Sequence, residues 1–202
     1  MKQKFADGEL VLCMNLRLAR SVDIAMIAKA GGYDALYVDM QHAPYSIETT
    51  ATICAASLGI GITPLVRVPN HEAQWMSRVL DGGAQGVILP DVNTRAEAEA
   101  IVAACRFPPL GKRSVMGLGP SLGYRAVPLS ELNPKLNAET AVIVMLETGE
   151  GVESRPSSSD PAAIRKSFWR PMSVRDWNAT PFGTIPAADP LGHKPFSYLP
   201  VV

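Results

Sequence analysis

The stretch SVDIAMIAKAGGYDALYVDMQH, residues 21–42, contains one helix and one strand in succession, and its pattern decides the fold. Ser21 stands where a helix N-cap is expected, apolar residues recur at helical spacing through Ala30, and Gly31 and Gly32 close the segment. ALYVDMQH, residues 35–42, is then apolar on both faces until it ends in polar residues, as in a strand covered from two sides. The same unit recurs in both directions. VLCMNLR (11–17), TPLVRVP (63–69), GVILPDV (86–92) and AVIVMLET (141–148) read as further strands. SIETTATICAASLG (46–59), EAQWMSRVLDGG (72–83) and RAEAEAIVAACRF (95–107) read as helices. Ser46 precedes Thr49 by three residues, the spacing of a capping box with threonine in the usual glutamate position. A long loop separates the last helix from the fifth strand.

Alternating strands and helices, with strands hydrophobic on both faces, predict a parallel α/β sheet with crossover helices outside it. An open doubly wound sheet and a (β/α)8 barrel share this pattern. No GxGxxG follows the first strand and no GxxxxGK[ST] occurs, which removes the main support for the nucleotide-binding version. Polar and charged residues instead cluster at the carboxyl ends of successive strands: Arg17, then Asp39 and His42, then Arg67, Asp91 and Glu147. A barrel brings those ends to one mouth. The expected fold class is therefore α/β, an incomplete (β/α)8 TIM-type barrel with about five parallel strands.

Composition supports a globular chain: 47% of the 202 residues are hydrophobic and 19% are charged. Nineteen basic residues balance nineteen acidic ones, so no net field favours nucleic acid or an anionic membrane. No apolar run approaches the roughly 20 residues that span a bilayer, and MKQKFADGELVLC does not read as a signal peptide. Cys13, Cys54 and Cys105 form no CxxC pair, which fits buried thiols in a reducing cytoplasm.

The composition changes after Glu153. Eight of the seventeen prolines lie beyond it, starting with SRPSSSDP, and glutamate does not recur. Residues 1–153 are expected to form the partial barrel. Residues 154–202 are expected to form an irregular Pro/Ser-rich tail rather than a domain, with a short helix near 162–168 and with Phe168, Trp169 and Trp177 available to dock on an apolar edge.

Each candidate residue has a plain reading beside a chemical one. His42, three residues after Asp39 at a strand end, is a surface histidine or a general base suited to neutral pH. Arg67 interrupts a buried strand, which calls for either a structural ion pair or an anion. Glu147 could bind a divalent cation or pair with Arg67. Asp81 and Asp91 lie where turn and cap carboxylates are common. MGLGPSLGYR (116–125) is read as a flexible active-site or interface loop rather than a phosphate loop, and His71 and His193 as surface positions. No HExxH, GxSxG or paired-cysteine zinc motif is present.

Five segments, YVDMQHAPYS, TPLVRVP, VLDGGAQGVILPDVNT, CRFPPLGKRSVMG and IVMLETGEGVE, occur in order within residues 5–153. Together they resemble the HpcH/HpaI aldolase family of metal-dependent class II pyruvate aldolases. The resemblance implies a (β/α)8 barrel assembled into homo-oligomers, commonly hexamers with exchanged C-terminal helices. It also implies a carbon–carbon lyase that cleaves a 4-hydroxy-2-oxo acid to pyruvate and an aldehyde through a metal-stabilised enolate, with small-molecule 2-oxo acid and aldehyde partners. By the same resemblance His42 matches the catalytic base, Arg67 the arginine that holds pyruvate and its enolate, and Glu147 one of two carboxylates for a divalent metal cation (Mg2+, Mn2+ or Co2+). Asp81 matches the carboxylate partner of the histidine, and Asp39 an acidic residue lining the substrate site. No lysine ends any of the five strands, in keeping with chemistry that needs no Schiff base.

Two departures accompany the match. The family usually continues to a GPxDL- or GTNDL-like motif carrying the second metal carboxylate, whereas Asp160, Asp176 and Asp189 here follow no apolar strand. Met145 stands where many members have glutamine. The expectation is a chain truncated or frameshifted after about residue 153, so a catalytically inactive fragment stands as the alternative to the lyase.

Overall fold

The computed structural model describes residues 1–154, and the expectations for the later tail lie outside the described residues. Five parallel strands form one sheet: β1 (Cys13–Leu16), β2 (Ala35–Asp39), β3 (Thr63–Arg67), β4 (Gly86–Leu89) and β5 (Ala141–Val144). Their spatial order is their sequence order. A doubly wound sheet reverses direction at a central strand and so separates some sequence neighbours. Here every strand pairs with its successor, which is the wall of a barrel.

Between the strands run α2 (Asp23–Ala30), α3 (Ile47–Gly59), α4 (Ala73–Asp81) and α5 (Arg95–Cys105). They cover one face of the sheet. Leu36, Val38, Val66, Val87 and Leu89 meet Ala25, Ala28, Ile53, Met76, Val79 and Ile101 in the larger apolar cluster. The other face carries a separate buried cluster of Ala35, Tyr37, Leu65, Ile88, Ala141 and Ile143. Burial on both faces explains why the strands lack polar alternation. Gly86 is required where this inner layer is tightest, because a Cβ there would lie 2.8 Å from both Ala141 Cβ and Leu65 Cδ2.

The strands are shorter at their carboxyl ends than the sequence predicts. Pro69 and Pro90 lie just beyond β3 and β4, where neither can donate to the ladder. Ser46 caps α3, accepting from Thr49 N. Ser21 stands at the start of α2 as expected: its hydroxyl accepts from Asp23 N at 3.3 Å and donates to the Asp23 carboxylate at 2.8 Å, and Val22 between them already has helical backbone angles. The long loop contains α6 (Leu129–Glu139), which the sequence reading missed because Pro134 lies inside it. Asn137 docks α6, accepting from Phe107 N at 2.8 Å and donating to Phe107 O at 3.1 Å. Short helices α1 (Lys2–Ala6) and α7 (Gly149–Glu153) complete the described chain. Lys2 joins α1 to the start of β5 by donating to Thr140 O at 2.9 Å. No helix among the described residues is long and apolar enough to cross a membrane.

Thr94 and Glu97 form a reciprocal capping box at the start of α5. Replacing Thr94 with Ala is expected to cost about 1 kcal/mol, read as a lower urea midpoint with an unchanged denaturant slope.

Candidate active site

Asp39 ends β2 on the inner face of the sheet, and strand register sets it opposite Arg67 at the end of β3. Arg17 follows β1 at the same level, by continuation of the β1–β2 register. A row of charges, plus–minus–plus, thus crosses three strand ends. Asp39 is fully buried, and a carboxylate there is tolerable only if its oxygens are satisfied. They are. Arg67 donates through Nε to Oδ1 at 2.9 Å and through Nη2 to Oδ2 at 2.6 Å. Arg17 Nε donates to Oδ2 at 3.1 Å. The backbone N–H groups of Gln41 and His42 each donate to Oδ1 at 3.1 Å. Burial alone pushes the Asp39 carboxyl up, but the bonds from Arg67 and His42 N–H and the two guanidinium charges outweigh it and hold the group below the usual carboxylate range. Burial likewise pulls Arg67 down, and its bond to Asp39 more than compensates.

Arg67 is therefore a structural ion-pair partner of Asp39, but the pairing leaves part of its guanidinium uncommitted. Among the described residues its Nη1 approaches only the thioether of Met145, at 3.9 Å, a weak acceptor. Tyr37 lies against the guanidinium, 5.4 Å from ring centre to Cζ. Asp39 differs from the expectation that it lines the substrate site: with no exposure and every oxygen engaged, it holds the two arginines instead of presenting an oxygen to the mouth.

His42 has an exposed side chain on the turn that Asp39 pins through backbone N–H groups. That turn is braced from β1: Tyr45 donates to Ala19 O at 2.5 Å, and Arg20 donates to Leu18 O at 2.8 Å and Pro44 O at 3.3 Å. Glu147, beyond β5, is exposed and forms no ion pair with Arg67 among the described residues. One oxygen accepts from Asp91 N at 3.3 Å. Asp91 takes a left-handed backbone (φ 51°), which aspartate tolerates better than most residues, and so aims its N–H at that oxygen. His71, read from sequence as a plain surface position, instead binds Pro90 O through Nε2 and links the turns after β3 and β4. His193 lies outside the described residues. The signals for the Tyr45 and Arg20 braces were weak, since both depend on carbonyl groups that no motif encodes.

Asp81 does not join this group. It ends α4, just before β4 begins, and so lies at the opposite edge of the sheet. Strands of four or five residues, each rising about 3.3 Å, separate the two edges by roughly 13–17 Å. Asp81 accepts from Arg113 Nη2 at 2.7 Å, and Arg113 in turn packs 4.6 Å from the Phe107 ring centre. The Gly-rich segment 116–125 is at that edge too. Met116, Gly119, Ser121 and Leu122 share a cleft with Asp81 and Arg113, so this segment is not a loop of the mouth formed by His42 and Arg67.

The HpcH/HpaI aldolase/citrate lyase family model matches residues 15–156. The chain belongs to that family. It is 37% identical over 155 residues to the 4-hydroxy-4-methyl-2-oxoglutarate aldolase tasA of Hapsidospora irregularis, covering 76% of this chain and 57% of that one. It is 36% identical over 157 residues to a 4-hydroxy-2-oxovalerate aldolase of Novosphingobium aromaticivorans, with coverages of 76% and 57%. Among solved structures, the HpcH/HpaI aldolase of Desulfitobacterium hafniense DCB-2 superposes with a TM-score of 0.72 at 29% identity, over 76% of this chain and 59% of that one. The HpcH/HpaI chain thus spans 57% of the length of these curated relatives.

Because Asp39 has a native pKa below its unfolded value, the stability it contributes is fully present above about pH 4, the ordinary carboxylate range. It is lost as pH falls through the lower native value. Asp39→Asn should cost about 3–5 kcal/mol at pH 7, since it leaves the buried Arg67 unpaired. The gap between wild type and variant, followed by urea midpoints, should narrow as the pH is lowered toward 3.

Proposed function

We propose that this HpcH/HpaI chain is a carbon–carbon lyase of the pyruvate aldolase type, cleaving a 4-hydroxy-2-oxo acid to pyruvate and an aldehyde. The observation that carries the reading is Arg67. It is an arginine at the end of a strand buried on both faces, oriented by a saturated Asp39, whose Nη1 meets only a thioether among the described residues. Family membership and the aldolase names of the relatives support the same chemistry. The reading assigns the activity to residues 1–153, the barrel portion.

In the cleavage direction His42 takes the proton of the C4 hydroxyl as the C3–C4 bond breaks. The bond pair moves through C3 toward the ketone oxygen, C4 leaves as an aldehyde, and a proton returned to C3 completes the methyl group of pyruvate. Arg67 Nη1 donates to the oxygen on which negative charge grows, a fixed donor that needs no reorganisation. A divalent cation (Mg2+, Mn2+ or Co2+), when bound, would supply Lewis-acid polarisation of that ketone. The donor set fits one in a limited way. Among the described residues no three His, Cys, Asp or Glu side chains converge, but Glu147 keeps one carboxylate oxygen unengaged. Mg2+ commonly takes one or two protein carboxylates and fills its remaining positions with water and substrate oxygens.

Asp81 can partner a histidine only of another copy, which accords with a homo-oligomer. A cytoplasmic setting fits the free thiols Cys13, Cys54 and Cys105.

Purified chain should release pyruvate from a 4-hydroxy-2-oxo acid in the presence of Mn2+, measured by coupling to a pyruvate-reducing enzyme. His42→Ala, an exposed change that should leave the fold intact, is expected to lower kcat by about 10²–10⁴-fold. Absence of Mn2+-dependent pyruvate release by the wild-type chain would end the lyase reading for this polypeptide.

A further inference from the structure

We infer that His71 is a positioning residue for Glu147, acting through the peptide that joins Pro90 to Asp91. The inference rests on the lyase reading, in which Glu147 is the carboxylate open to a cation, and adds the residue that aims it. Backbone pairing beyond β4 shows where the link lies. Met145 N donates to Leu89 O, and Val92 N donates back to Met145 O. Evenly spaced parallel pairing would return that second bond from residue 91, so the chain carries one extra residue here, a bulge. Bulges at the rims of barrels re-aim groups near sites of chemistry. This one leaves the carbonyl of Pro90 and the N–H of Asp91 outside the ladder, and two side chains take them up. His71 Nε2 donates to Pro90 O, and Asp91 N donates to Glu147 Oε2 at 3.3 Å.

Both bonds belong to one peptide unit. A trans peptide is planar, and its C=O and N–H point in opposite directions. His71 and Glu147 therefore meet the same plane from opposite sides, and holding the oxygen fixes the direction of the N–H. A carbonyl oxygen only accepts, so His71 must present Nε2–H. Its donation to the oxygen also polarises the peptide and strengthens the N–H bond to the carboxylate. The left-handed backbone of Asp91 (φ 51°) keeps that N–H turned toward β5. Glu147 depends on such a guide because it is exposed. Its side chain receives no other hydrogen bond or ion pair among the described residues. Three successive turns, after β3, β4 and β5, are thus linked by one histidine, one peptide and one carboxylate. His71 lies at the first of them and touches neither the cation nor substrate.

The test titrates Mn2+ into the full chain in the presence of pyruvate and follows the free ion by electron paramagnetic resonance, which reads binding without turnover. Wild type is compared with His71→Ala and with His71→Gln, whose side-chain amide donates at about the reach of Nε2. His71→Ala is expected to weaken Mn2+ binding by about 10-fold, as for loss of a group that orients a metal-binding carboxylate. His71→Gln is expected to recover most of the affinity. If His71→Ala binds Mn2+ as wild type does, whatever its urea midpoint, the inference is overturned and the lyase reading stands, since His71 would then only tie two turns together. A glutamine that restores the urea midpoint but not the affinity also overturns it, because the bond to Pro90 would not be what aims Glu147. Absence of Mn2+ binding by wild type removes both the inference and the role of Glu147 beneath it.

Discussion

A carboxylate buried at the end of β2 is the constraint on which the mouth of the sheet depends. Asp39 has no contact with solvent, so its charge requires donors from its surroundings. They come from four other residues on three strand ends: Arg17 after β1, Arg67 in β3, and the N–H groups of Gln41 and His42 in the turn after β2 itself. One ionised group therefore sets the orientation of two guanidinium groups and the path of the turn that carries His42. The same interactions that make the charge tolerable arrange the groups that chemistry would use.

The two edges of the sheet are built differently. At the carboxyl edge, arginine donors are left partly free and two polar side chains, His42 and Glu147, are exposed. At the amino edge, several polar side chains pair within the chain. Asp81 meets Arg113, Asn137 bonds both the N–H and the carbonyl of Phe107, and Lys2 joins α1 to the start of β5. This is the division expected of a barrel wall, with chemistry at the carboxyl ends and stability at the other face.

The strand pattern was legible because burial on both faces leaves long apolar runs, and the polar residues that end them mark the mouth. Their position alone assigned Arg17, His42, Arg67 and Glu147 to the carboxyl edge, where the structure places them. The partner of Arg67 was less legible, since Asp39 and Glu147 are both carboxylates at strand ends and only strand register distinguishes them. Asp81 lies at the far edge because α4 ends there, a placement that residue identity alone does not give. Helix α6 escaped notice for a different reason. Pro134 argues against a helix locally, while the reciprocal bonds of Asn137 to Phe107 supply a tertiary reason for one.

The two carboxylates of the mouth cannot exchange roles. A carboxylate offers about four lone-pair positions, and Asp39 receives five donors, so it has none left for a cation, a proton or a substrate hydroxyl. Glu147 receives a single N–H, from Asp91, on one oxygen, and is exposed. The saturated Asp39 acts through the arginines it orients, whereas Glu147 keeps an oxygen open. Met145 sharpens the division. A thioether beside Arg67 Nη1 competes only weakly for its hydrogens and adds no charge, so that donor has no strong acceptor among the described residues.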